Sequence, residues 1–342
     1  MNASGSAARL IVEAAGPGTT LQDRGRHGFR RFGVSVSGPM DWVSHALALR
    51  LAGADGDDPV IETGPGGLAL RAEDAPVCIG IAAPGGLIEH MLTSGTMARL
   101  DAPARLVLEP GDAVRLRAGL SGVWGYVAVS GLRVENGGGP VLGSWSLNPR
   151  TGLGSPPPEP GTAFVCHPAA TVEPPLPFPE PLDLGGGPIE VLPGPQTHVF
   201  PSDVLEAFVG EPFTLTPAVD RMGYRLEGPR LHEPGGHDIV SDGLVEGSIQ
   251  VPGDGCPIVL CADRAPTGGY PKIGVVARAA LPRLVQSRPG DTIHFRWTTP
   301  ERARHDTLRL RRAVEEAEPL ARRALDARFL LGANLVSGVW GA

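Results

Sequence analysis

Lysine is almost missing from this chain of 342 residues. Of its 30 lysines and arginines only Lys272 is a lysine, so cationic side chains are otherwise all arginine. Four cysteines, Cys78, Cys166, Cys256 and Cys261, contain no CxxC pair, which excludes a zinc ribbon or a dithiol redox site and leaves buried reduced thiols as the reading. The nine histidines form no HxxxH or HExxH pattern, and the closest group, His232, His237 and Asp238, is split by a turn; no metal site is expected. No window approaches the roughly 18 apolar residues of a membrane span, and no basic n-region leads into an apolar stretch, so a cytoplasmic location is the default expectation. The formal charge of -7 and the lack of a clustered basic face argue against nucleic acid, because phosphate binding needs such a footprint. The one basic run, 302–312, is interleaved with His305 and Asp306 and reads as a solvated helix face. There is neither a GxxxxGK[ST] loop nor a G-x-S-x-G elbow, which disfavours a P-loop nucleotide site and a serine hydrolase.

Glycine and proline are plentiful instead, 48 and 36 residues, and they punctuate short apolar runs. Strands are expected over 10–13, 60–63, 68–71, 77–81, 106–109, 114–117, 125–129 and 163–166. After a proline-rich linker between about 150 and 188, more are expected over 189–192, 213–216, 239–245, 248–251, 258–262, 273–277 and 292–297. A helix is predicted over 39–52, with proline in its first turn, Asp41 near the positive end of its dipole, a Val43, Leu47, Leu51 stripe and Gly53 as its stop. Apolar residues at helical spacing predict a second over 301–329, split or kinked by Pro319. The length suits two domains with a tail: 1–175, 186–299 and 300–342. EPGDAVRLR at 109–117 and RPGDTIHFR at 288–296 repeat a Pro-Gly-Asp turn that feeds a strand, consistent with two related β domains.

Three polar islands interrupt the strands. The first, 19–41 (TTLQDRGRHGFRRFGVSVSGPMD), gathers Gln22, Asp23, Arg24, Arg26, His27, Arg30 and Arg31 and ends on a helix N-terminus able to hold an anion; its Asp41 is a further binding candidate. The second, 220–228 (DRMGYRLEG), alternates Asp220, Arg221, Arg225 and Glu227 with apolar positions. The third runs from Gly247 through Gln250 to Lys272, where Asp263, Thr267, Gly268, Gly269 and Tyr270 lead into Pro271. Glycines let backbone approach a ligand, Thr267 and Tyr270 offer hydroxyls, and Lys272 brings positive charge to the turn. That combination reads as a cradle for a carboxylate, carbamate or phosphate. Removing Lys272 or Arg221 is expected to lower turnover without unfolding the chain. The structural alternative for each island is a solvated ion pair or a tight turn.

TTLQDRGRHG with VSGPMD, then DRMGYRLEG, then GSIQVPGDGCPIVL and DRAPTGGYPKIG, in that order, resemble the family called allophanate hydrolase subunit 2, biotin-dependent carboxyltransferase domain, or the C component of 5-oxoprolinase. The likeness runs from about residue 10 to 298. It implies a mainly β chain of two cyclophilin-like β-barrel domains with a few helices and a C-terminal helical appendage. It also implies a smaller partner subunit resembling allophanate hydrolase subunit 1 and a third, barrel-fold subunit, which together open 5-oxoproline to glutamate with ATP and Mg²⁺. The alternatives it carries are carboxyl transfer from carboxybiotin to a urea-like amide, and a regulator that binds a kinase-inhibitor-like partner. Lys272 lacks methionine neighbours, so no covalent biotin is expected on this chain. In that frame Arg26, Arg221, Arg225 and Lys272 would face phosphate or carboxybiotin. Asp23, Glu227 or Asp263 would orient the substrate N–H or hold Mg²⁺, and Tyr270 or a carboxylate would move the proton. Where the family shows Gln-Thr-Thr-Gly-Gly-Tyr-Pro this chain has Ala265 and Pro266 before Thr267, which removes an amide and a hydroxyl.

Overall fold

The computed structural model describes residues 7–117, 122–170, 176–177, 184, 186–232, 235 and 238–317. Within them the chain is mainly β, with helices α1 (Trp42–Ala52), α2 (Ser202–Gly210), α3 (Leu281–Val285) and α4 (Pro300–Glu315). None is long and apolar enough to cross a membrane.

Strands from the first half build two antiparallel sheets. One has seven strands in the order Arg133–Val134, Ala163–Cys166, Ala8–Ala15, Leu68–Glu73, Ala113–Arg117, Leu87–Met91, Met97–Asp101. The other has six: Leu176–Pro177, Ala104–Leu108, Val77–Ala82, Gly125–Val129, Val60–Thr63, Thr20–Gln22. Leu10, Val12, Leu70, Ile79, Ile81, Val127 and Phe164 share one buried cluster between them, each contributing roughly 2 kcal/mol by leaving water. The second half forms an eight-stranded sheet: Thr292–Ile293, Phe213–Val219, Gly223–Glu227, Ile258–Leu260, Ser248–Gln250, Lys272–Val276, Ile189–Pro193, Phe295–Trp297. Its two edge strands are separated in sequence by His294 alone, so the sheet curls almost closed.

Helix α1 joins the halves. Its backbone lies so near Gly80 that a β-carbon there would come within 2.2 Å of the Ala48 carbonyl, so α1 rests directly on the six-stranded sheet. Leu47 and Leu51 of the helix, with Met40 just before it, belong to one continuous buried cluster with Ile189, Val191, Tyr224 and Ile249 of the eight-stranded sheet and Phe208 of α2. The helix is therefore apolar nearly all round, which is the pattern of a helix buried on both faces.

Pro39 stands outside the helix: Asp41 is the cap residue, and its carboxylate accepts from Val43 N (3.0 Å) and Ser44 N (3.1 Å). The segment predicted as a strand over 239–245 is strand only at Asp242–Gly243, and 292–297 divides at His294. The repeated Pro-Gly-Asp turns share one geometry. Gly111 and Gly290 have φ of 93° and 94°, and the following Asp112 and Asp291 each accept from the backbone three residues back. Beyond Pro300–Glu315, the predicted continuation of the C-terminal helix from 318, with its kink at Pro319, lies outside the described residues, as does His237.

Candidate functional site

Island one folds back on itself. The Asp23 carboxylate accepts from Ser144 Oγ (2.6 Å), Ser146 Oγ (2.7 Å), Trp145 N (2.7 Å) and Gly25 N (2.8 Å), pinning the GSWS segment to the loop. Burial alone would raise its pKa, and these four donors reverse that, leaving it below the usual carboxylate range. Gln22 donates to Leu147 O and Thr20 Oγ1, both at 2.9 Å. Arg26 is buried, and its guanidinium donates to Ser146 O (2.6 Å) and Val141 O (3.2 Å), with burial depressing its pKa against the pull of Asp23 and Asp263. The anion expected at the N-terminus of α1 is the chain's own: Asp41 fills it and also accepts from Ser44 Oγ (2.6 Å) and Gln286 Nε2 (2.9 Å). Asp41 is therefore a cap, buried away from any ligand.

Arg221 occupies the seam between the halves. Its guanidinium donates to Asp263 through Nε (2.8 Å) and Nη2 (3.2 Å), to Gly38 O (2.7 Å), and to Glu62 Oε1. The second oxygen of Glu62 accepts from Met40 N and from the Tyr126 hydroxyl, both at 2.8 Å, and that hydroxyl accepts from Asp41 N at 2.7 Å. Burial pulls the Arg221 pKa down, but Glu62 and Asp263 more than restore it; burial pushes Glu62 up, opposed by Arg221. A cation held between two buried carboxylates has no charge left for a ligand. The expectation that Arg221 acts on substrate gives way to a bridge between the two halves.

The rest of island two points outward. Asp220 caps a turn by accepting from Met222 N (2.7 Å) and Gly223 N (3.1 Å). Along Gly223–Glu227 the side chains alternate, so Tyr224 and Leu226 enter the core while Arg225 and Glu227 lie on the outer face. Arg225 pairs there with Asp254 at 3.0 Å.

Island three forms a cradle over the end of the eight-stranded sheet. Lys272 opens a strand, and its side chain is 2% exposed, not displayed on a loop; its ammonium donates to Asp242 Oδ2 at 2.9 Å, and Asp242 is 50% exposed. Gln250 is its partner in register, so both side chains share a face. Asp242 and Gly243 pair with Gly268 and Thr267 as a separate two-stranded ribbon. Gly269 O accepts from Ile239 N (2.7 Å), and Tyr270 is at the exposed rim. Pro266, one of the two departures from the family pattern, still serves through its carbonyl, which accepts from Leu244 N (2.9 Å) and Arg30 Nη2 (3.3 Å).

The loop of island one ties these groups together. Arg30 reaches the carbonyls of Leu244 and Pro266, and Ser35 Oγ donates to Arg264 O at 2.9 Å. Arg26 lies within electrostatic reach of both Asp23 and Asp263, Arg30 meets the residue before Thr267, and Gln250 stands beside Lys272. Sequence reasoning missed Glu62, Tyr126, Gln286, Ser144, Ser146 and Asp242. A carboxylate in the apolar run VIET was the one available signal for Glu62. Nothing local marked the others.

A family model described as carboxyltransferase domain, subdomain A and B, matches residues 32–297. The chain is 34% identical over 295 residues to the C component of 5-oxoprolinase from Escherichia coli (strain K12), spanning 84% of this chain and 90% of that protein. Among solved structures it is similar to TTHA0988, with a TM-score of 0.72 at 32% identity over 86% of this chain, and it spans only 57% of that longer chain. It also shares the fold of K. lactis urea amidolyase, with a TM-score of 0.77 at 24% identity over 93% of this chain and 20% of that one. The family model, the near full-length likeness and the paired barrel sheets agree: this chain belongs to the carboxyltransferase domain family, subdomains A and B.

Proposed function

We propose that this chain is a 5-oxoprolinase subunit, acting in the cytoplasm with a smaller subunit and a third, barrel-fold subunit to open 5-oxoproline to glutamate. The observation that carries the reading is the alignment of 84% of this chain with 90% of a protein named as the C component of 5-oxoprolinase.

The chain's own residues do not suit ATP with Mg²⁺. Arg221 is sealed between Asp263 and Glu62, and Arg225 pairs with Asp254 on the outer face of its strand. Among the described residues no three His, Cys, Asp or Glu side chains converge to hold a metal ion. In the proposed complex ATP and Mg²⁺ therefore belong to a partner subunit, and this chain binds the amide. Its contribution is orientation: the rigid seam set by Asp23 and Arg221 positions the cradle of Gln250, Thr267, Gly268 and Lys272 at the end of a sheet, where a small ligand is held by few rotatable groups.

The testing experiment is to purify this chain with the two other subunits and follow ATP-dependent glutamate release from 5-oxoproline. Glutamate is expected only when all three are present; a folded assembly of all three that releases none overturns the proposal. A second reading, carboxyl transfer from biotin carried on another protein to a urea-like amide, is supported by the family's description and the fold shared with urea amidolyase. Carboxylation of urea by this chain with a biotinylated carrier would favour it.

A further inference from the structure

The Lys272 pair is lopsided. The cation is 2% exposed and the anion 50% exposed, so the carboxylate arrives from the solvent side at a site the sheet has already built. An ammonium has three donors. Among the described residues this one meets a single carboxylate, Asp242. Asp242 itself stands on a two-residue strand paired only with Thr267–Gly268, outside the eight-stranded sheet. Lys272 by contrast is fixed between Gln250 and the strand Ile189–Pro193.

The site has a second donor. Gln250, directly across from Lys272, reaches its backbone acceptor Tyr270 O only at 3.5 Å, the outer limit of a hydrogen bond, so its amide remains available. Gly268 closes the space: a β-carbon there would come 2.7 Å from Gln250 Nε2, and Gly268 is the register partner of Asp242. The Asp242 carboxylate accepts from Lys272 Nζ, from Gly243 N (2.7 Å) and from the Gln196 side chain, while Gln250 and Gly268 flank the pair as the register partners of Lys272 and Asp242. The spot in front of the Lys272 ammonium thus holds a carboxylate group of the chain itself.

We propose that Lys272, Gln250 and Gly268 form a subsite for a ligand carboxylate, occupied in the free chain by Asp242, which withdraws when the ligand binds. The class of ligand is a compact monocarboxylate, because the displaced group is a single planar carboxylate and the glycine wall leaves no room for a bulkier head. Assigning that ligand as 5-oxoproline rests on the function proposed above; the subsite does not.

Calorimetric titration of the full chain tests this with four probes: acetate, 5-oxoproline, 2-pyrrolidone (the same lactam ring without the carboxylate) and inorganic phosphate. Asp242→Asn, which keeps the side-chain shape and removes the competing charge, is expected to bind acetate and 5-oxoproline at least tenfold more tightly than the wild type. 2-Pyrrolidone should not respond, and adding Lys272→Met should erase the gain. Asp242→Ser serves as an independent variant and should give the same gain. Acetate binding that is unchanged, weaker or absent in both Asp242 variants overturns the subsite, as does a larger gain for phosphate than for acetate. A gain for acetate with none for 5-oxoproline upholds the subsite and removes 5-oxoproline as its ligand.

Discussion

Arg221 and Lys272 are both buried cations, and the contrast between them separates the part of this molecule that holds it together from the part that faces a ligand. Arg221 is met by two carboxylates whose side chains are 0% and 1% exposed, plus the carbonyl of Gly38. Lys272 is met by one carboxylate that is half in water. Full desolvation on both sides makes an ion pair permanent, since separating it would leave charges stranded in a low-dielectric interior. When one partner keeps its water, exchange for another anion is cheap. Two buried cations in the same protein therefore take opposite roles.

Removing each cation gives the widest separation. Arg221→Met strands Glu62 and Asp263 and is expected to lower unfolding free energy by roughly 3–5 kcal/mol, whereas Lys272→Met, which leaves Asp242 solvated, should cost about 1 kcal/mol. Urea denaturation of both variants measures the difference, and equal losses would erase the distinction between the two cations.

Acid should strain the Arg221 side first. His45 on α1, edge-on to Tyr126 at 6.0 Å, has its pKa depressed from 6.5 to about 4, chiefly by burial. The unfolded chain takes up that proton near 6.5 and the folded one does not until about 4. Stability from this group is thus fully present above the unfolded value and is lost as pH falls through that window, by about 3 kcal/mol. His45→Gln should flatten the slope measured by thermal unfolding across the same range. The Asp242 pKa is lowered, first by its hydrogen bond from Lys272, so that carboxylate should keep its charge across the same window.

On the cradle side, Gly268→Ala would push against the Gln250 amide at 2.7 Å. Ligand affinity should fall about tenfold, roughly 1.4 kcal/mol, with the melting temperature nearly unchanged; an unaltered affinity would show that the amide plays no part. The smallest effect belongs to Asp242→Asn on stability, which should leave the urea midpoint almost unmoved, since one partner of that pair is already hydrated.

Much of the fold could be read from the chain because its causes are local. Val60–Thr63, Gly125–Val129 and Ala163–Cys166 begin and end as the apolar runs between turn residues predict. Other elements were hidden by their surroundings. Met97–Asp101 is an edge strand with exposed and charged residues, and its run lacks a buried face to announce it. Gly223–Glu227 looked like a polar loop because its outward residues are charged, although Tyr224 and Leu226 are core. Conversely, 239–245 had the composition of a strand but finds only a two-residue partner.

The site divides the same way. Lys272 drew attention by rarity, and Asp263 and Arg221 by charge in an apolar chain. Their counter-ions, Asp242 and Glu62, lie 30 and 159 residues from the cations they meet. The sequence by itself determined the strand alternation, the Asp41 cap and the two Pro-Gly-Asp turns, all interactions within a few bonds of their residues. Only the tertiary structure decided which cation is sealed and which is exchangeable, because the strength of a charge pair depends on distance and on access to water, and both are set where remote segments meet.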